Sequence, residues 1–335
     1  MLINYFIEPN AIPVADGIDR AVRKHILDAI HDYGIRAGSR KAWKEVLARI
    51  PQNERKHWEV ALERIPRNEF DLEFLSSNAA DTILDQARSS VIALSESSFA
   101  QWANNCDHEW NPDEEIFRID LQPLPHTAEI LTVPFFSDST ICDDRRHWNE
   151  VGVKQGDHRD AIWSDRILPI LQHSTTLHVF DRYFLTQISR AMSSNQRHRD
   201  SGAFWLAEKL RTDLSGTSIA LNLYTLGVEG GSNTYNYEML MRFREASGVG
   251  ISELNCYLPK EGASGVIPHD RHWRAASSKW SAKIEFGSSI DMFKNSQFTE
   301  NSQLKAFVLT PTARNDLRSA ELNIQAKCQQ PITID

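Results

Sequence analysis

Thr176-Leu-His-Val-Phe-Asp-Arg-Tyr-Phe184 decides the fold class, because of what stands on either side of it. Its first half carries β-branched and aromatic residues, the composition of a strand. Residues 161–172, just before it, have helical spacing, and the alternation then recurs. A helix over 203–212 leads to a strand over 218–225, and a helix over 237–246 leads to a strand over 251–258. Residues 280–286 and 304–309 add two more strands. Strands separated by helices need crossover connections, so the pattern predicts an α/β mixed sheet with flanking helices. In it, 176–184 is a central strand beside 218–225. Two loops, 227–232 and 259–265, follow strands and should open onto a ligand face.

Toward the N-terminus the texture changes to a helical and then mixed α/β region. Ile18, Val22, Ile26, Ile30 and Tyr33 form a helical stripe over 17–33, with Asp16 as cap and Gly34 as stop. A second helix starts after Ser39, turns Trp43, Val46, Leu47 and Ile50 inward, and ends at Pro51. A third is capped by Asn53, turns Trp58, Leu62 and Ile65 inward, and ends at Pro66. Strands are expected at 91–94, 116–121 and 130–135, and a helix at 79–88. Residues 137–160 are polar without periodicity, the texture of a boundary loop. The expected domains are therefore an N-terminal region, 1–155, and a C-terminal α/β domain, 156–335.

Composition narrows the function classes. The chain has 335 residues, 41% hydrophobic and 24% charged, which is globular rather than disordered or fibrous. A net charge of −8 excludes a surface that grips nucleic acid along its whole length, although a local basic cleft is compatible with it. No apolar run approaches the ~20 residues needed to span a bilayer. Glu8 and Pro9 interrupt the first apolar stretch, and no basic residue precedes it, unlike a secretory leader. Cys106, Cys142, Cys256 and Cys328 lie far apart without a CxxC pair, so reduced thiols and cytoplasmic residence are expected, with no metal and no cofactor.

The chemistry concentrates near the C-terminus. His269-Asp-Arg271 precedes a strand and then Gly287-Ser-Ser-Ile-Asp-Met-Phe293, while Val179-Phe-Asp-Arg-Tyr-Phe184 stands earlier. A guanidinium can hold two phosphate oxygens at once, and a glycine-serine turn can bring N–H donors close to them. In this order the motifs resemble the phospholipase D-like superfamily, in its divergent single-motif form similar to the C-terminal domain of MIT-domain proteins. The resemblance covers residues 160–312.

What it implies is a phosphodiesterase or nuclease acting through a phosphohistidine without a metal. His269 would be the nucleophile or acid, with Ser288 and Asp291 completing the catalytic set. Arg271, Gly287, Ser289, Asp181 and Arg182 would bind the anion. One motif per chain implies a homodimer that pairs two His269 side chains. The implied ligand contains a phosphodiester, nucleic acid before lipid. The alternative is a non-catalytic module of the same type that holds an anionic ligand or a protein partner.

Several positions depart from that family's pattern. Arg271 stands for the usual lysine, Ala276 for an aspartate, and the interval from His269 to Gly287 is longer. Asp181 and Arg182 also suit an internal ion pair at a strand end. His178 shares a strand face with Phe180, opposite Asp181. Three weaker features remain. Asp143-Asp-Arg-Arg-His147 is dense in charge, and Arg190, Arg197, His198 and Arg199 make a basic stretch. Tyr5-Phe-Ile-Glu-Pro-Asn10 is similar to the first strand of PIN-type nucleases, with Glu8 where their aspartate stands.

Overall fold

The computed structural model describes residues 3–68, 89–105, 116–121, 126–193, 201–278 and 280–334. The protein is mixed α/β and divides into two compact units, Met1–His147 and Trp148–Asp335. The polar stretch expected to be a boundary loop is helical over part of its length. Thr140–Val151 within it is a helix, opened by the Ser139 hydroxyl, which accepts from the Cys142 N–H. The expected helix at 79–88, Cys106, Trp110, Arg197, His198, Arg199 and Lys279 lie outside the described residues.

Unit 1 is built on a six-stranded sheet. It comprises β1 (Ile3–Ile7), β2 (Gly34–Ala37), β3 (Arg67–Asn68), β4 (Ser90–Leu94), β5 (Ile116–Leu121) and β6 (His126–Thr132), in the order β3-β2-β1-β4-β6-β5. All neighbours are parallel except the edge pair β5–β6. The region expected to be mainly helical thus has a parallel sheet at its centre. The helices Ile18–Tyr33, Arg40–Arg49 and Gln52–Arg64 bury Ile26, Ile30, Trp43, Val46, Trp58 and Leu62 against Ile3, Tyr5 and Val91.

Caps show where local chemistry held and where it gave way. Ser39 caps the second helix by accepting from the Ala42 N–H at 3.2 Å. Asn53 lies inside the third helix, whose first turn Pro51 opens. Ile18, expected inward, is 83% exposed. Gly34 does more than stop a helix: a Cβ there would sit 2.2 Å from the Ile30 carbonyl oxygen, so only glycine lets the chain turn straight into β2.

Unit 2 holds a seven-stranded sheet in the order β12-β11-β10-β7-β8-β9-β13. Its members are β7 (Thr176–Phe180), β8 (Ile219–Tyr224), β9 (Ile251–Tyr257), β10 (Arg271–Ala276), β11 (Ser281–Phe286), β12 (Leu304–Val308) and β13 (Ile332–Ile334). β7, β8 and β9 are parallel, and β7 is central beside β8, with both strands ending earlier than the sequence suggests. The helices Phe184–Ser193, Gly202–Asp213 and Asn233–Ser247 make the crossovers.

Side chains alternate across the whole sheet. One cross-strand row is apolar: Ala306, Ile284, Trp273, Val179, Leu223 and Cys256. The next is polar: Lys283, Arg274, His178, Asn222 and Asn255. A third polar-face row, His272, Phe180, Tyr224 and Tyr257, stacks ring on ring at 4.2–4.8 Å between centroids.

The C-terminal helix Pro311–Ala326 lies against that polar face, though the sequence reading contained no helix there. Glu321 is buried in a bidentate pair with Arg274, and the Gln325 amide donates to the Tyr224 hydroxyl at 2.6 Å. His178 lies 3.7 Å from Glu321 but is not its ionic partner. Burial, followed by the charge of Arg274, lowers the imidazole to about 3 and keeps it neutral. The edge of β12 is also closed: the Asn149 side chain accepts from the Ala306 N–H and donates to its carbonyl, both at 3.0 Å.

Candidate functional site

The sequence places 274–279 in a loop that must fold back for His269 to meet Ser288. In the structure 274–276 belong instead to β10, which pairs antiparallel with β11 from Arg271–Phe286 to Ala276–Ser281. A hairpin brings its two open ends together by geometry, so the His269 segment and the Gly287 turn leave adjacent strand ends. Because β10 also pairs with β7, the same place receives Asp181 and Arg182 from the end of β7.

Asp181 is 2% exposed, and its carboxylate accepts from two backbone N–H groups, Tyr183 at 3.0 Å and Ile290 at 2.8 Å. Burial pushes its pKa up, against those bonds and the Arg271 charge. It ties the turn to β7 and offers no donor to an anion. The internal ion pair with Arg182 does not form either, because Asp181 spends its oxygens on the backbone.

Arg182 points elsewhere. It is 8% exposed, yet its guanidinium meets no carboxylate among the described residues. Nη1 faces the His269 Nε2, Nη2 donates to the Ser264 carbonyl at 3.0 Å, and Nε is buried without a partner. Arginine is only a donor, so His269 Nε2 accepts, and the ring's own proton sits on Nδ1. His269 itself is exposed. The Arg182 carbonyl accepts from the Leu226 N–H and the Thr225 hydroxyl, which fixes the backbone between the ends of β7 and β8.

Arg271 is half-buried, lies 5.8 Å from the Tyr183 ring centroid, and has a buried Nε without an acceptor. In the turn, the Gly287 N–H is taken by the Gln303 carbonyl at 2.9 Å, and a Cβ at Gly287 would stand 3.0 Å from the Gln303 nitrogen. Gly287 therefore packs closely against the Gln303 backbone. Ser289 accepts from the Asp291 N–H at 3.3 Å and from the Gln187 amide, which again is a structural use. The backbone N–H groups of Ser288 and Ser289 have no partner among the described residues.

Sequence reasoning assigns no role to Tyr183, Gln187 or Ser264, although Tyr183 stands in the quoted motif. Gln187 is 6% exposed with an unpartnered Oε1, and Tyr183 is 44% exposed beside Arg271. Gln187 could have been found, four residues past Tyr183 and so on the helix face that returns to the strand end. Ser264 acts through its carbonyl and left no signal. His178 and His272, the other histidines of these strands, stand on the face under the C-terminal helix.

The remaining sequence candidates are accounted for differently. In unit 1, Glu8 does end β1 at the point where the sheet order reverses. Its carboxylate accepts from the Ser95 N–H and the Ser98 hydroxyl, both at 2.7 Å, and so caps the following helix. Asp143 pairs with Arg146 on an exposed helix face. No described helix is long and apolar enough to cross a membrane. No family model matches the chain, and no curated protein matches it.

Proposed function

We propose that unit 2 binds the phosphate-type group of a ligand at the end of β7, held by Arg182, Arg271, His269 and the N–H groups of Ser288 and Ser289. The observation that carries this reading is Arg182, a guanidinium more than nine-tenths buried that no carboxylate neutralises among the described residues. Leaving a buried cation uncompensated costs several kcal/mol (~3–5 where a partner has been removed). A bound anion would recover that cost, and the orphaned Nε atoms of Arg182 and Arg271 are the donors it would use. Tyr183, exposed beside Arg271, offers a flat apolar surface to whatever carries the phosphate. A nucleotide base suits that surface better than an acyl chain, because two aromatic rings can stack.

Phosphodiester hydrolysis through His269 is the second reading, favoured by an exposed imidazole that meets the Arg182 guanidinium. It requires Nε2 to leave Arg182, and a second imidazole brought by another copy of the chain.

The experiment is calorimetric titration of inorganic phosphate into the wild type and variants, beside a chelator-treated turnover assay on bis(p-nitrophenyl) phosphate. Arg182→Ala and Arg271→Ala should each weaken phosphate binding at least tenfold. Phosphate that binds these variants as well as it binds the wild type would overturn the binding reading. Turnover abolished by His269→Ala while binding persists would establish the second one.

A further inference from the structure

The loop after β9 has two sides. One side supplies the Ser264 carbonyl to Arg182 and ends at His269. The other side, Gly262, Ala263, Gly265 and Val266, faces Asn323, Ile324 and Lys327 of the C-terminal helix end across a groove of about 490 Å³. That volume lies within the usual range for small-molecule sites, ~300–1,000 Å³.

Fixed contacts anchor the segments on both sides of the groove. Ile267, next in the chain to Val266, is fully buried with Phe180, Tyr224 and Cys328. Beside it, the Lys260 N–H donates to the Lys327 carbonyl at 3.1 Å and Lys260 Nζ to the Ala326 carbonyl at 3.0 Å. Between these anchors the loop stands off the helix, and its wall is glycine and alanine. A Cβ at Gly265 would meet no atom within 4 Å, so packing does not demand glycine there. The space is simply unfilled.

The lining specifies a ligand class. Val266 and Ile324 give the lining its apolar side chains. The Lys327 ammonium has no carboxylate partner among the described residues, and neither does the Asn323 amide have a hydrogen bond. An apolar body carrying one anionic group fits both features.

We infer that this groove is a second binding site, for a small amphipathic organic anion, and that its occupancy is coupled through the 262–266 loop to the Arg182 site. A ligand that presses on this loop moves the Ser264 carbonyl, and with it a hydrogen bond that orients Arg182. Binding linkage then runs both ways: if the groove ligand changes phosphate affinity by some factor, phosphate changes the groove ligand's affinity by the same factor. The coupling, though not the groove itself, rests on the proposed phosphate site.

The test uses 1-anilinonaphthalene-8-sulfonate, an aromatic body with one sulfonate, titrated by fluorescence into the full chain. Saturable binding of one probe per chain is expected. Gly265→Val, which adds a side chain to the groove lining where a Cβ meets no atom within 4 Å, and Lys327→Glu should each weaken it at least tenfold. Gly216→Val, at another glycine with no atom within 4 Å of its Cβ, should leave it unchanged. Far-ultraviolet circular dichroism of each variant separates lost binding from lost fold. Probe affinity that is unaltered in Gly265→Val and Lys327→Glu overturns the groove.

Repeating the phosphate titration with saturating probe should shift phosphate affinity about fivefold or more, the lower end of ordinary coupling. An unchanged phosphate affinity overturns the coupling. Phosphate that fails to bind even without probe overturns the proposed function instead, and leaves the groove result standing.

Discussion

At the scale of single residues, the site depends on backbone approaches that only the smallest side chain permits. Gly202 opens the helix Gly202–Asp213, and a Cβ on it would stand 2.0 Å from the Ile290 carbonyl oxygen. Ile290 belongs to the turn that Asp181 holds, so the collision falls on the turn itself. Gly202→Ala should therefore destabilise the protein by about 1–3 kcal/mol, the usual cost of overpacking. It should also weaken phosphate binding, and denaturant midpoints together with a phosphate titration check both effects. His269 carries a second residue-scale expectation. Because Arg182 donates to Nε2, nitrogen-detected NMR should find the neutral ring protonated on Nδ1, and Arg182→Ala should release that preference.

At the scale of elements, the C-terminal helix is attached by polar bonds more than by apolar area. Glu321 is its one fully enclosed residue, and Leu322 is 55% exposed. Glu321→Gln removes the charge from a buried pair and leaves Arg274 uncompensated, a change that costs ~3–5 kcal/mol. Replacing both together, Arg274→Met with Glu321→Leu, should restore most of the loss. A double-mutant cycle by chemical denaturation measures it, and a double variant no more stable than Glu321→Gln would refute the account. The edge of β12 behaves differently. Asn149→Ala exposes the Ala306 N–H and carbonyl, so the variant should associate through that edge, visible as concentration-dependent light scattering.

For the molecule as a whole, acid should be the weak direction of its second unit. Burial, then Arg274, takes His178 down to about 3, and burial, then Lys283, takes His272 down to about 4. Unfolded, both titrate near ~6.5. Their neutral forms thus stabilise the fold above that pH, and the contribution drains away as pH falls toward 4. With two more protons bound by the unfolded chain, stability should fall by up to roughly 2.7 kcal/mol per pH unit in that window. His272→Phe keeps a ring against Phe180 and should halve the slope, as read from denaturant midpoints between pH 7 and 4.

Much of this organisation was written locally. The alternation around Thr176–Phe180 fixed the α/β class, and the central β7–β8 pair followed from it, because strand and helix periods are properties of short stretches. Ser39 capped the expected helix for the same reason. The hairpin β10–β11 was not read, although Trp273 and Ala275 alternate with His272 and Arg274. A strand face bearing histidine and arginine resembles a loop until a distant carboxylate covers it, and Glu321 lies 47 residues further along the chain. The helix that carries Glu321 also had a readable start, since Thr310 accepts from the Ala313 N–H and Pro311 follows it. The sequence alone therefore determined which residue types stand at the end of β7. What each does there was decided by tertiary structure: Asp181 and Gly287 are engaged by backbone contacts, while Arg182 is buried with no carboxylate partner among the described residues. Pairing between segments about a hundred residues apart is set by burial and register, and no local pattern encodes those.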